Sequence, residues 1–231
     1  MKLKKKILII TCLFIMFFQT AVLANSPKIN SKAAILVEKS TGRILYERKS
    51  TEKLYPASTT KVMTAILVLE NCKLSDMVTI SKTALDNLPS GYVTCDLQVD
   101  EEISVNDLLY ALMVKSANDA AYALAEHVAG SIDAFSDMMN NKAIELGCTS
   151  THFVNPNGIH DENHYTTARD LMLITLAGLQ NEDFVRISST ASYSLPATNL
   201  QEERKIVNTN FLMNSGYKDY YCKYVKSGKT G

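Results

Sequence analysis

Three short polar fragments, in one order along the chain, constrain its fold more than its composition does: Ser58-Thr59-Thr60-Lys61, Ser116-Ala117-Asn118 and Lys229-Thr230-Gly231, the last three of 231 residues. A serine hydroxyl is a poor nucleophile unless a base takes its proton. A lysine three residues on along a helix brings an amine to the same face as that hydroxyl. Pro56 and Ala57 precede Ser58, which sets the serine in a first helical turn, where unpaired N–H groups and the positive helix end favour developing negative charge. Ser116 and Asn118 fall between two helical patterns, in a connection whose side chains can project into a cleft. Lys229-Thr230-Gly231 supplies a cation, a hydroxyl and a residue without Cβ, at which a ligand can approach the backbone closely. Taken singly, each fragment reads as a helix cap or a polar strand end. What sets those readings aside is the conjunction of the three, in this order, on a helix start, an interhelical turn and a strand. A base role for Lys61 further requires a pKa well below the free value, through burial or neighbouring positive charge.

The hydrophobic pattern supplies such elements. Ala33 to Glu38 and Arg43 to Arg48, separated by Ser40-Thr41-Gly42, predict a β-hairpin. From Thr59 to about Glu70, Val62, Met63, Ile66 and Leu69 fall near one helical stripe. Ser104 with Asp107 opens a second helix through Leu108, Leu109 and Leu112, and a third runs from about Asn118 to Gly130. Ser131 caps a fourth, with Phe135, Met138, Met139 and Leu146 inward and Gly147 at its end. Thr167 with Asp170 opens a fifth that closes near Gly178. Beyond Tyr193 the pattern turns irregular and β-like, with Tyr220 to Lys226 the best strand before the last fragment. A hairpin, a long helical insert and then strands make an α+β arrangement.

At the N-terminus, Lys2, Lys4, Lys5 and Lys6 precede an apolar run from Ile7 to Phe18 and a small-residue exit at Val22-Leu23-Ala24. This reads as a signal peptide over residues 1–24, cleaved after Ala24, and hence an exported protein. The competing reading is an uncleaved anchor, since the stretch extends to about 18 residues, the lower limit for spanning. Cleavage leaves 20 basic against 24 acidic residues, a net charge of −4. No basic stripe survives, which argues against nucleic acid as a partner. Cys72, Cys95, Cys148 and Cys222 follow no small disulfide framework and read as buried free thiols. His160 and His164 sit in a turn-rich stretch after Asn155-Pro156-Asn157-Gly158, so neither a metal site nor a cofactor is expected.

The S-x-x-K, S-x-N, K-T-G order resembles that of the serine-type D-alanyl-D-alanine carboxypeptidases, which are low-molecular-mass penicillin-binding proteins. The resemblance extends through Pro56-Ala57-Ser58-Thr59-Thr60-Lys61-Val62-Met63-Thr64, Lys115-Ser116-Ala117-Asn118-Asp119-Ala120-Ala121 and Leu124-Ala125-Glu126-His127. It continues in Glu145-Leu146-Gly147, Thr151-His152-Phe153, Asn155-Pro156-Asn157-Gly158, Thr166-Thr167-Ala168, Asp170 and Asn208-Thr209-Asn210. It implies a β-lactamase/transpeptidase-like fold, an antiparallel sheet with a helical subdomain. By the same resemblance, Ser58 attacks the bond between the two terminal D-alanines of a peptidoglycan stem peptide and Lys61 takes its proton. Ser116 relays a proton to the leaving amine, Asn118 holds the substrate amide, and Lys229 and Thr230 receive the terminal carboxylate beside Gly231. β-Lactams are then expected as inhibitors.

In that family the second oxyanion donor is the N–H after the K-T-G glycine, and two further strands and a helix follow. The expectation is therefore a catalytic domain over 25–231 that is C-terminally incomplete, with any membrane association left to an uncleaved signal or a missing C-terminal segment. A serine β-lactamase shares the trio, but the middle fragment here lacks the usual aspartate and no convincing deacylating glutamate follows it. A non-catalytic binder of cell-wall peptides or β-lactams is the reading from another class.

Overall fold

The central helix is buried over its first eight residues, and other helices among the described residues pack around it. In the computed structural model, which describes residues 28–231 apart from Asn87, this helix is α1 (Lys61–Asn71), whose first eight residues, Lys61 to Val68, are all buried. A helix whose sides are all covered belongs inside a core, and α1 packs against four other α-helices. The signal-peptide reading of residues 1–24 lies outside the described residues.

A hairpin of β1 (Ala34–Val37) and β2 (Ile44–Arg48) opens the described fold, in antiparallel register with Ala34 opposite Arg48 and Leu36 opposite Tyr46. A one-turn 3-10 segment, Ala57–Thr60, leads directly into α1. Next come β3 (Met77–Thr79), the short α2 (Lys82–Asp86) and β4 (Glu102–Ser104), which returns to pair with β3. Helix α3 (Val105–Tyr110) begins where Ser104 Oγ accepts the Asp107 N–H at 3.1 Å, the cap read from the sequence. It widens into a buried π-helical turn over Ala111–Lys115, which ends on Ser116 in the left-handed region at φ 64°. Helix α4 (Asn118–Ala129) stops at Gly130, and α5 (Ile132–Glu145) starts from Ser131. Helix α6 (Ala168–Gly178) is capped by Thr167, and α7 (Glu182–Ser188) by Asn181. Strands β5 (Ser192–Leu195) and β6 (Arg204–Val207) form a third antiparallel pair.

The α+β architecture, the first hairpin and five of the helices lie where the sequence puts them. Two expectations need correction. Tyr220 to Lys226 is not a strand: its N–H groups close turns, Tyr220 and Tyr221 onto Tyr217 O and Val225 onto Cys222 O. A ladder needs a neighbouring strand, and among the described residues the pairs are only β1–β2, β3–β4 and β5–β6. Lys229-Thr230-Gly231 accordingly sits on irregular backbone rather than in a strand. The second correction concerns the four thiols: all are free, but only Cys95 and Cys148 are buried, while Cys72 and Cys222 are half-buried. Leu146 and Met138 are likewise partly covered, whereas Phe135 and Met139 are fully inside.

Candidate active site

Two consecutive turns fix the first pair of side chains. Ser58 lies in the 3-10 turn and Lys61 is the first residue of α1, so a shift of three residues places Lys61 Nζ 3.0 Å from Ser58 Oγ. Because α1 is the central helix, the Lys61 side chain is fully buried. Its amine meets two oxygens besides the serine hydroxyl: Asn118 Oδ1 at 2.8 Å and the Asn157 carbonyl at 2.8 Å. Burial, aided by the positive charge of Lys229 and opposed by Asp119, pushes its pKa down to about 6. The amine is therefore mostly neutral at pH 7. A neutral amine has two hydrogens and one lone pair. The two carbonyl oxygens can only accept, so they take both hydrogens and leave the lone pair for the Ser58 hydroxyl.

The orientation of Asn118 is itself determined by contacts. Its Nδ2 donates to Val93 O at 2.9 Å, which turns Oδ1 toward Lys61. The Asn118 N–H donates to the same carbonyl. Asp119, buried beside it, accepts the N–H groups of Cys95 and Leu97 at 3.0 and 3.1 Å and so holds the segment that carries Val93.

Ser116 reaches the site because the π-helical turn inserts an extra residue and the chain reverses in the left-handed conformation. Such turns commonly mark functional positions. Lys229 Nζ donates to Ser116 Oγ at 2.8 Å and to the Thr230 carbonyl at 2.6 Å. Burial pushes the Lys229 pKa down to about 8, so this ammonium stays charged at neutral pH. Thr230 Oγ1 lies 2.6 Å from Thr209 Oγ1. Gly231 abuts the Ser58 turn closely enough that a Cβ there would lie 2.9 Å from both Pro56 O and Thr59 N. The structure thus brings Ser58, Lys61 and Asn118 into one network and Ser116, Lys229 and Thr230 into a second, linked by the charge that Lys229 exerts on Lys61.

Several members of these networks carry no side-chain signal in the three fragments. Asn157 contributes a backbone oxygen from the Asn155-Pro156-Asn157-Gly158 turn, where Asn155 Oδ1 accepts the Gly158 N–H at 2.7 Å. Gly158, at φ +84°, packs against the Ser58 turn so tightly that a Cβ would fall 1.8 Å from Ala57 O. His164 Nδ1 accepts the Val154 N–H at 3.2 Å, which leaves Nε2 to donate to Thr60 Oγ1 at 2.8 Å. Burial holds its pKa down to about 4, so the ring is neutral there. The turn-rich sequence around these residues marks a loop; that the loop folds back under the helix start is a tertiary fact.

Among solved structures, the fold is similar to a variant of the Streptomyces DD-transpeptidase, with a TM-score of 0.81 and 32% identity over 89% of this chain and 82% of that one. It is also similar to a D-alanyl-D-alanine carboxypeptidase from Mycobacterium tuberculosis, with a TM-score of 0.80 and 29% identity over 91% of this chain and 76% of that one. Fold and site geometry together define the DD-transpeptidase and penicillin-binding class. Residues 20–231 match the S11 peptidase family, described as D-alanyl-D-alanine carboxypeptidase, and the chain belongs to that family. It is 36% identical over 208 residues to the D-alanyl-D-alanine carboxypeptidase DacF of Bacillus subtilis, covering 87% of this chain and 51% of the relative. It is 37% identical over 158 residues to DacC of Escherichia coli, covering 65% and 40%. The chain therefore spans about half the length, or less, of these two relatives.

Proposed function

We propose that residues 25–231 form the catalytic domain of an exported serine D-alanyl-D-alanine carboxypeptidase that removes the terminal D-alanine of peptidoglycan stem peptides through an acyl-enzyme on Ser58. The observation that carries the reading is the Lys61 amine, buried, neutral and 3.0 Å from Ser58 Oγ, with both its hydrogens engaged by carbonyl oxygens. As Ser58 Oγ bonds to the penultimate D-alanine carbonyl carbon, its proton passes to Lys61 Nζ. The backbone N–H of Ser58, at the start of the helical run, faces the developing oxyanion. Collapse of the tetrahedral adduct breaks the C–N bond, and Ser116 relays a proton, giving its own to the departing D-alanine amine and taking up in its place the one Lys61 received from Ser58, with the Lys229 ammonium beside its oxygen at 2.8 Å. Lys229 and Thr230 receive the terminal carboxylate, for which a charge-assisted contact is suited. Water then attacks the ester and returns Ser58. β-Lactams, which present a carboxylate and a strained amide to the same groups, inhibit by forming a long-lived ester on Ser58.

The test treats the full chain with a penicillin and maps the adduct. The expected label is on Ser58 alone; a label on another residue overturns the assignment. Release of D-alanine from a D-Ala-D-Ala peptide separates the enzyme from a non-catalytic binder, and rapid penicillin hydrolysis would point to a β-lactamase instead. Export predicts a mature N-terminus at Asn25, read by N-terminal sequencing of the secreted protein.

A further inference from the structure

The helices that carry Lys61 and Asn118 meet again at their other ends, around three side chains able to ligate a metal. Cys72 is the C-cap of α1, Asp76 closes the turn before β3, and His127 lies in the last turn of α4. One donor atom from each lies within 4.8 Å of the others. We propose that Cys72, Asp76 and His127 bind a divalent cation of the zinc class, with water in the fourth position, and that this ion clips the far ends of α1 and α4 together.

The donor chemistry fits. A thiolate, an imidazole and a carboxylate are the ligands zinc takes, at about 2.0 to 2.3 Å, which in a tetrahedron sets neighbouring donors about 3.3 to 3.7 Å apart. Half-buried Cys72 and Asp76 and exposed His127 can close that remaining gap by small side-chain rotations, and the exposed side gives an ion its entry. Among the described residues no hydrogen bond occupies the Cys72 sulfur or the His127 ring. Asp76 is already oriented, because its Oδ2 accepts the Lys73 N–H at 2.8 Å, the kind of supporting contact that fixes a ligating carboxylate. Two helix C-termini end at the cluster, and their partial negative charge favours a cation there. As the sulfur–metal bond forms, the thiol proton leaves to solvent; nothing is oxidised or reduced.

The placement also suggests what the ion does. Lys61 Nζ and Asn118 Oδ1 are 2.8 Å apart at the starts of α1 and α4, and the cluster joins the same two helices about 15 Å further along. A clip at one end restrains the angle between the helices and so the approach at the other. The inference rests on this geometry and stands apart from the reaction proposed for Ser58.

The experiment titrates the metal-free full chain with Co²⁺, following the thiolate-to-cobalt charge-transfer band, and with Zn²⁺ by calorimetry and thermal unfolding. One equivalent is expected to bind, with a rise in Tm at saturation. Cys72→Ser is expected to remove the band and the Tm shift. His127→Ala, at an exposed position that leaves the core intact, is expected to weaken Zn²⁺ binding at least tenfold. A band that survives Cys72→Ser, with Cys95, Cys148 and Cys222 still present, overturns the proposal. So does a parent protein with neither band nor Tm shift, or unchanged affinity in His127→Ala.

Discussion

Lys61 must be buried to be a base, and burial is what makes it costly to protonate. Its folded pKa, about 6, lies far below the unfolded value of about 10.4, so between those limits the unfolded chain binds one proton more. Stability contributed through this residue therefore rises with pH across that window and is lost as pH falls toward 6. Measured against Lys61→Met, the parent should gain unfolding free energy from about pH 6 to about pH 8; a difference that stays flat would mean that the amine is not buried in its neutral form. The same titration should appear in catalysis, with acylation by a penicillin rising through a midpoint near 6. Lys229 titrates in the opposite functional sense. In the proposed reaction its ammonium, with a pKa near 8, is the cation for the substrate carboxylate, so kcat/KM for a peptide with a free terminal carboxylate should fall above about pH 8. Lys229→Ala removes one charge-assisted contact of about 1.5 to 3 kcal/mol, roughly a 10- to 150-fold loss on such substrates. Substrates without the carboxylate should lose far less, and equal losses on both would exclude a carboxylate-binding role for Lys229.

At the scale of elements, the site depends on a loop pressed against a helix start. Gly158 stands where its backbone nearly touches Ala57 O, and its φ of +84° suits only a residue without Cβ. Gly158→Ala should push the Ser58 turn away from the Asn157 carbonyl, lowering acylation at least tenfold and Tm by several degrees; unchanged acylation would show that the turn tolerates the displacement. This dependence also separates what the sequence makes legible from what it does not. Helices with a Ser or Thr cap and an Asp three residues on, at Ser104 and Thr167, announce themselves because the capping bond is local. So does the first hairpin, whose two strands are consecutive in the chain and joined by a short turn. Strands β3 and β4 are three residues each, and their pairing spans a stretch that includes α2, so no local pattern reveals them. The two-turn α7 is too short for a strong period. Tyr220 to Lys226 has strand-like residues without a strand partner, and takes turns instead. The residues that meet in the candidate site, Ser58, Lys61 and Asn118 in one network and Ser116, Lys229 and Thr230 in the other, were named from the sequence. The backbone oxygen of Asn157 and the His164–Thr60 bond were not, because only folding brings residue 157 or 164 to residue 60.

Across the whole molecule, the two halves of the site stand on supports of different rigidity. Ser58, Lys61, Ser116 and Asn118 are attached to α1, the α3 and π-helical run, and α4, where Val68, Leu108, Leu109, Ala111, Leu112, Val114 and Leu124 have no exposed surface at all. Lys229 and Thr230 instead follow residues 214–226, which are mostly exposed, with Tyr220 and Tyr224 61% and 78% accessible, and are held chiefly by turn bonds. Segments with few buried contacts open locally at far lower cost than a core helix. Amide hydrogen exchange should therefore be slowest in α1, α3 and α4 and faster by orders of magnitude over 214–226. If the carboxylate of a penicillin engages Lys229 and Thr230 as proposed, acylation should slow exchange over 227–231 while leaving α1 and α4 unchanged, because only that half of the site has freedom to lose. If 214–226 exchanges as slowly as α1, the two supports are equally rigid. If acylation slows the core but not 227–231, the carboxylate is held elsewhere, and the division of labour between a rigid nucleophile and an adaptable carboxylate clamp fails.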